Sequence, residues 1–437
     1  MTSASGSALT ARLAALTPRQ RELLREKVAR ARWPRRLTPG QRRLWQTHQA
    51  VNGAPVDVVC QAVHLTGGRI DLAVLAELST EFAGRHEALR TTFAEQDGEI
   101  VPVVHDALPP RVTLRGRTTA EQAHALAREL AHEPFDLAHG PLLRVVLAEG
   151  AGEQDAWLLV VVHNLVFDAW SFELLLDALD RRPGQEMPAA TPFSAFARAR
   201  QSWVDSADGQ AAATYWATEV RDAPPPLPTD RPRTAATRRG GARVEFTLSP
   251  AVAEGIATVA RREAATAYAG WLAVAWQALE RFGGSQDVLL GTFTAGRDLP
   301  GTDTTVGYLL NVAPTRLRDA GDGSFPARVR AASAVSRAGL RHIAYPGELI
   351  DAARFDAVFV FDSLGEAPRT IQGASVSTED LDKGTARYDL TLAVYPRTDG
   401  VSGWLEYDTE RYDEATARRL AELFTTVAEE ASGQATA

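Results

Sequence analysis

The stretch VHNLVFDAW, residues 162–170, places polar side chains directly after a short apolar segment. All six residues at 157–162 are apolar, which is typical of a strand that is buried on both faces. His163, Asn164 and Asp168 follow this segment within six positions. Because an imidazole, an amide and a carboxylate gather where the strand ends, we expect a functional site at this point.

The spacing of apolar residues predicts two mixed α/β halves separated by a proline-rich linker. Residues 56–65 alternate as a strand does, and residues 70–89 carry leucines at helical spacing after a capping aspartate. The segment APPPLPTDRPR, residues 223–233, interrupts this pattern, because prolines lack a backbone donor and favour an extended chain. We therefore predict a helical extension at 1–36, an N-terminal half at 37–222, a linker at 223–240 and a C-terminal half at 241–432.

Length and composition exclude several classes of protein. A chain of 437 residues is too long for one ordinary core and is expected to form two. Its net charge of -8 argues against nucleic acid as the main partner. Cys60 is the single cysteine, which excludes an internal disulfide and a cysteine-based zinc site. The histidines lack metal-ligand spacing and no phosphate-binding loop occurs, so we predict neither a metal nor a nucleotide.

The N-terminal sequence and the distribution of apolar residues give no membrane signal. MTSASGSALTARL, residues 1–13, lacks the apolar segment of a signal peptide. No run of about 18 apolar residues occurs in the chain. We therefore expect a cytoplasmic monomer that does not bind a membrane.

Six further segments occur in an order and at a spacing that one known family shares. They are LTPGQRRLW at 37–45, RHEALRTTF at 85–93, PFDLAHGPLLR at 134–144, TAGR at 294–297, VGYLLNVAPTR at 306–316 and YPGEL at 345–349. With HNLVFDA at 163–169, they resemble the motifs of the condensation domains of nonribosomal peptide synthetases, which are chloramphenicol acetyltransferase-like acyltransferases. The resemblance covers roughly residues 37–430. It implies an α/β fold with two chloramphenicol acetyltransferase-like α/β subdomains in a V-shaped pseudo-dimer with a central cleft.

The chain departs from the family signature HHxxxDG at two positions. His163 matches the first histidine and Asp168 the aspartate, but Asn164 replaces the second histidine, which the family implicates in catalysis. A carboxamide stays neutral and only forms hydrogen bonds, so Asn164 can orient a nucleophile but cannot deprotonate it. Ala169 replaces the glycine, and its methyl group narrows the approach to the backbone N–H. Gly347 also replaces the phenylalanine of the family's YPFE segment, which would enlarge a pocket or loosen a loop.

The resemblance implies acyl transfer from a phosphopantetheine thioester on an acyl or peptidyl carrier protein to an amine or alcohol acceptor. The chain would bind no cofactor of its own, and it would act in trans because it lacks adenylation and carrier regions. In one interpretation it is an active enzyme whose acceptor amine arrives unprotonated or loses its proton to water, and Asn164 positions that acceptor. In another, His163 or another group supplies the base, although alternation along a strand points the His163 side chain to the opposite face. In the third, the chain is a catalytically inactive module that binds a carrier protein and recruits or positions another enzyme.

The resemblance gives the remaining site residues structural or binding roles. The family uses the aspartate that matches Asp168 structurally, paired with an arginine, and a buried carboxylate needs such a partner. Arg297 and Arg90 are the candidate partners, and the sequence does not choose between them. The candidate substrate-binding residues are Trp170, Ser171, Asn311, Phe167 and Ala169, with core packing as the default role of the two aromatic residues.

Overall fold

The computed structural model of the chain describes residues 17, 19, 36–152, 154–233, 239–318, 321–350, 355, 357–362, 369–397 and 399–434. The predicted helical extension at 1–36 therefore lies almost entirely outside the described residues, and so does part of the predicted linker. Within the described part of the chain, no helix combines the length and the apolarity that crossing a bilayer requires.

Within the described residues, the strands form two six-stranded sheets and one separate hairpin. In chain order they are β1 (Val58–Thr66), β2 (Thr91–Gln96), β3 (Glu99–Val104), β4 (Arg111–Arg115), β5 (Leu143–Glu149), β6 (Asp155–His163), β7 (Gly241–Leu248), β8 (Val288–Thr294), β9 (Asn311–Leu317), β10 (Ala357–Phe361), β11 (Thr370–Ile371), β12 (Ala374–Asp380), β13 (Leu390–Arg397) and β14 (Gly400–Asp408). The hairpin consists of β2 and β3.

Helices cover both sheets. They are α1 (Pro39–Ala50), α2 (Leu72–Arg85), α3 (Ala120–His132), α4 (Ala169–Leu179), α5 (Phe193–Val204), α6 (Ala207–Glu219), α7 (Pro250–Arg262), α8 (Ala267–Gly283), α9 (Phe325–Leu340) and α10 (Glu414–Gly433). Most of them carry a sequence-encoded start signal: Thr38 and Thr119 form capping boxes at α1 and α3, and Asp71 caps α2 as predicted.

The strand that leads to the candidate site lies inside the first sheet. This sheet has the order β11-β12-β1-β6-β5-β4, and β6 pairs antiparallel with β1 and β5. Residues 156–163 of β6 are all buried, which confirms the predicted buried strand. His163, the last residue of β6, lies opposite Val58, the first residue of β1. The candidate site therefore begins at the end of the sheet where β6 ends and β1 starts.

The second sheet has the order β7-β14-β13-β10-β8-β9. β10 runs parallel to both of its neighbours, and the other pairings are antiparallel. The predicted hairpin is present as β13 and β14. The helices of this half bury large side chains against the sheet, above all Trp271 and Trp276 of α8 and Phe424 of α10. Each sheet thus has its own apolar core.

Sheet membership does not follow the predicted halves throughout. β11 and β12 belong to the region predicted as the C-terminal half at 241–432, yet β12 pairs antiparallel with β1 over residues 61–66 and 375–380. The physical reason is that β1 would otherwise leave a row of unpaired backbone groups at the edge of the first sheet. The region 37–222 therefore does not complete its sheet alone.

Candidate active site

Asn164 begins a short 3-10 turn, residues 164–166, that connects β6 to α4. His163 caps this turn, because its Nδ1 accepts a hydrogen bond from the Leu165 backbone N–H at 3.1 Å. Gln41 of α1 donates from Nε2 to the Leu165 carbonyl oxygen at 2.9 Å. Both backbone polar groups of Leu165 are therefore held by side chains, which fixes the turn that carries Asn164.

Asn164 is half-buried, and its Oδ1 atom is shielded from solvent. Among the described residues, this oxygen has no hydrogen-bond partner. Leaving a buried acceptor unsatisfied costs about 1–3 kcal/mol, so such an atom normally receives a hydrogen bond from ordered water or from a bound ligand. Asn164 can accept a hydrogen bond from an N–H or O–H group of a bound molecule at this turn.

His163 is held in its neutral form. Its ring is buried and packs edge-on against the rings of His48 and Phe135, with centroid distances of 5.4 and 6.0 Å. Burial, with a smaller contribution from His48, lowers the pKa of His163 to about 3. Since Nδ1 already accepts from the backbone, the remaining proton of the neutral ring lies on Nε2. This arrangement suits a capping residue and disfavours the predicted role of His163 as the base.

Asp168 is the N-cap of α4 and is 4% exposed. Its Oδ1 accepts from the Ser171 backbone N–H at 2.8 Å and from the Ser171 hydroxyl at 2.7 Å. Arg297 donates to both carboxylate oxygens, at 2.9 and 3.0 Å, and the Leu309 N–H donates to Oδ2 at 3.1 Å. The carboxylate is thus paired and saturated with donors, and its partner is Arg297.

The start of α4 joins the two halves of the chain. Trp170 donates from Nε1 to the Asp303 carbonyl oxygen at 2.9 Å, and its ring lies 5.3 Å from the Arg297 guanidinium. The buried Ser171 hydroxyl donates to the Gly307 carbonyl oxygen at 3.2 Å and accepts from the Gly307 N–H at 3.1 Å. Trp170 and Ser171, predicted to bind substrate, therefore make contacts that tie α4 to residues 302–309.

Three other predicted site residues, Arg90, Phe167 and Ala169, take no part in the contacts between α4 and residues 302–309. Arg90 donates to the His105 carbonyl oxygen and makes no contact with Asp168. Phe167 is completely buried, so it packs in the core and does not line a surface that a substrate reaches. Ala169 is exposed as the first residue of α4.

Asn311 uses its amide to shape a neighbouring loop. Its Nδ2 donates to the carbonyl oxygens of Ile343 and Tyr345 at 2.9 and 2.8 Å, and its Oδ1 accepts from the Gly347 N–H at 2.8 Å. A Cβ atom at Gly347 would lie 1.9 Å from the Val312 carbonyl oxygen. The glycine therefore allows close backbone packing, which corrects the expectation that it enlarges a pocket or loosens the loop.

A polar cluster that sequence reasoning missed joins the start of β1 to the segment before β13. Asp57 is 2% exposed and forms no hydrogen bond with the described residues, and its Oδ1 lies 3.5 Å from Arg387 Nε. Burial raises the pKa of Asp57. Arg387 also donates to the Tyr308 hydroxyl at 3.1 Å. The one local signal for this cluster was the position of Asp57 directly before β1. Its partner Arg387 could not be identified from the sequence, because it lies 330 positions away.

The described residues contain no group of three or more His, Cys, Asp or Glu side chains that could hold a metal ion. At the 164–166 turn, the described residues place the Asn164 amide oxygen next to the neutral imidazole of His163 and the ion pair of Asp168 with Arg297.

Comparison with known proteins places these features in context. The family model described as "Condensation domain" matches residues 35–437. A linear gramicidin synthase of Brevibacillus parabrevis is 30% identical over 420 residues, which are 89% of this chain and 8% of that protein. The phosphinothricin tripeptide synthetase PhsC of Streptomyces viridochromogenes is 30% identical over 463 residues, which cover 95% of this chain and 42% of that protein. The chain thus spans less than half the length of each of these two relatives.

Solved structures show the same architecture. The condensation domain from the monacolin K polyketide synthase MokA superposes with a TM-score of 0.80 at 20% identity, covering 91% of this chain and 97% of that one. The X-domain from teicoplanin biosynthesis superposes with a TM-score of 0.77 at 25% identity, covering 91% and 95%. That X-domain has also been solved in complex with OxyB. These likenesses confirm the predicted mixed α/β fold.

Proposed function

The chain belongs to the condensation-domain family, and on that premise we propose that it catalyses a trans-acting acyl transfer in nonribosomal peptide biosynthesis. The donor is a thioester on the phosphopantetheine arm of a carrier protein, and the acceptor is an amine or alcohol. The observation that supports this proposal is the buried Oδ1 of Asn164, which lacks a donor at the turn where the family motif lies.

In this reaction the acceptor attacks the thioester carbonyl, a C–N or C–O bond forms and the C–S bond breaks. Asn164 accepts a hydrogen bond from the acceptor and directs its lone pair at the carbonyl carbon. Positioning of this kind can supply several kcal/mol of the barrier reduction, whereas a general base would add about 10² to 10⁴ in rate. The enzyme therefore works mainly by placement, and Asp168 contributes by fixing the turn and α4.

The test is single-turnover acyl transfer from a panel of acyl-loaded carrier proteins, with the wild type compared with Asn164→Ala and Asn164→His. Loss of one hydrogen bond in Asn164→Ala is expected to lower the rate about tenfold, because such a bond contributes about 1–1.5 kcal/mol. Gln46→Ala, an exposed position on α1, is the matched control and should leave the rate unchanged. Equal rates for the wild type and Asn164→Ala would contradict the positioning role.

The alternative is a catalytically inactive module that binds a carrier protein and recruits another enzyme. Two observations favour it: the catalytic histidine of the family signature is absent, and the X-domain, which resembles this chain, has been solved with OxyB. If the wild type, Asn164→Ala and Asn164→His are all inactive but still bind the carrier protein, the recruitment function is favoured over acyl transfer.

A further inference from the structure

We infer that the acceptor is a weakly basic nitrogen nucleophile that arrives uncharged, of the class of alkoxyamines, hydrazines and aromatic amines, and is not an alkylammonium ion. The inference rests on the proposed acyl transfer and narrows its acceptor. It starts from Asn164, whose buried Oδ1 can hold an N–H group but cannot take its proton away.

The groups next to Asn164 in sequence do not replace the missing base. The Nδ1 lone pair of His163 is occupied by the Leu165 N–H, and the ring is buried between His48 and Phe135. Protonating this imidazole would break the cap of the turn that carries Asn164.

The carboxylate of the motif is equally unavailable. Asp168 accepts hydrogen bonds from Arg297, Ser171 and Leu309, and its ion pair with Arg297 has both side chains almost completely buried. Both of its oxygens are therefore already occupied by donors of the protein.

Among the described residues, three titratable side chains remain on the segments that adjoin the turn. Asp57 precedes Val58, which pairs with His163, and its Oδ1 lies 3.5 Å from Arg387 Nε. α1, which holds the turn through Gln41, carries His48, and burial lowers the pKa of His48 and weakens it as a base. Glu348 lies against α1, with Oε1 3.4 Å from the position of a Cβ atom on Gly40. Burial raises its pKa, which strengthens it as a base, so it is the competing candidate that the Glu348→Gln variant tests. The other charged residues of α1, Arg42 and Arg43, cannot accept a proton.

The charge state of the acceptor then decides turnover. An alkylamine resembles the lysine side chain, with a pKa of about 10.4, so roughly one molecule in 2,500 is neutral at pH 7. An oxygen, nitrogen or aromatic ring bonded to the amine nitrogen withdraws electron density, and the lone pair is then free at neutral pH. As the C–N bond forms and the C–S bond breaks, the nitrogen loses one proton and the departing thiolate takes one up, directly or through water. A neutral alcohol is a weak nucleophile and would need its proton removed before or during attack on the carbonyl carbon. Asn164 cannot remove that proton.

Methoxyamine and ethylamine are a matched pair of probes, since they have the same size and differ by an oxygen in place of a methylene. Their background-corrected kcat/KM values are measured between about pH 6 and 8 with the acetyl, hexanoyl and phenylacetyl thioesters of pantetheine. With the wild type, kcat/KM for ethylamine should rise about tenfold per pH unit, because only the neutral fraction reacts, and that for methoxyamine should stay within about threefold.

Two kinds of variant test for a base. Asn164→His and the nearly isosteric Asn164→Asp each add one, and in a variant that folds the ethylamine profile should become flat above the pKa of the new group. His48→Gln and Glu348→Gln should leave both wild-type profiles unchanged.

A kcat/KM for ethylamine that does not change with pH in the wild type would overturn the inference. So would a flat wild-type profile that is lost in His48→Gln or Glu348→Gln. Neither result would contradict the acyl transfer. The absence of turnover with both nucleophiles, on every pantetheine thioester and on every acyl-loaded carrier protein of the panel, would contradict the acyl transfer itself.

Discussion

At the scale of single residues, Asp168 explains why the motif keeps its carboxylate although the histidine beside it is gone. It belongs to the N-terminal half but receives hydrogen bonds from Arg297 and Leu309 of the C-terminal half. A charge removed from water is tolerated when it is paired and its lone pairs are filled. Asp168 is therefore bound both to the start of α4 and to residues 297 and 309, and these bonds fix the position of the turn that carries Asn164.

Asp168→Asn keeps the shape of this side chain but removes its charge. Arg297, whose side chain is 6% exposed, would then be a buried cation without a counter-charge. We expect the free energy of unfolding to fall by about 3–5 kcal/mol, measured by urea denaturation. Asp106→Asn, at an exposed position, should change it by less than about 0.5 kcal/mol. A loss below about 1 kcal/mol for Asp168→Asn would show that the pair is not a major source of stability.

The sequence was sufficient to predict that Asn164 follows a buried strand and that Asp168 needs an arginine. It did not choose between Arg297 and Arg90, because pairing over 129 positions depends on how the halves pack. It also did not show that the lone pair of His163 is occupied, because alternation along a strand ends where the backbone turns at Leu165.

At the scale of elements, the start of α4 is a junction between the halves. Its N-cap binds Arg297, its first turn binds residues 302–309 through Trp170 and Ser171, and the 3-10 turn that precedes it carries Asn164. A shift of α4 would therefore move the candidate site and the contact between the halves together.

Ser171→Ala tests this junction. The hydroxyl is buried and contacts Asp168 as well as both backbone polar groups of Gly307, so its removal leaves those groups unsatisfied. We expect a loss of about 1–3 kcal/mol in the free energy of unfolding. Faster hydrogen exchange at the Gly307 amide should accompany it. Ser202→Ala, on the exposed face of α5, is the control, and equal effects of the two changes would contradict the junction.

At the scale of the whole molecule, the two halves are joined by more than the predicted linker. The prolines at 223–233 predict an interruption, and residues 223–233 lie in neither a helix nor a strand. The crossing of β11 and β12 to the first sheet was not predicted, because the pairing of a strand edge depends on what else covers it. Side chains at 306–309 also enter the core of the first sheet. Packing between segments that are distant in the chain produces no regular spacing of apolar residues, so the sequence pattern does not predict it.

The pair of Asp57 and Arg387 offers a test of how strongly the halves depend on each other. Asp57 precedes β1 of the first sheet, and Arg387 precedes β13 of the second, with 3.5 Å between Oδ1 and Nε. Arg387→Met leaves a buried carboxylate without its nearest counter-charge, so we expect a loss of about 3–5 kcal/mol in the free energy of unfolding. Adding Asp57→Asn removes that charge and should recover at least about 1 kcal/mol, so the two effects are not additive. Thermal and urea unfolding of the wild type, both single variants and the double variant measure this coupling. Strictly additive losses would mean that the two side chains stabilise their own halves separately and that the contact does not join them.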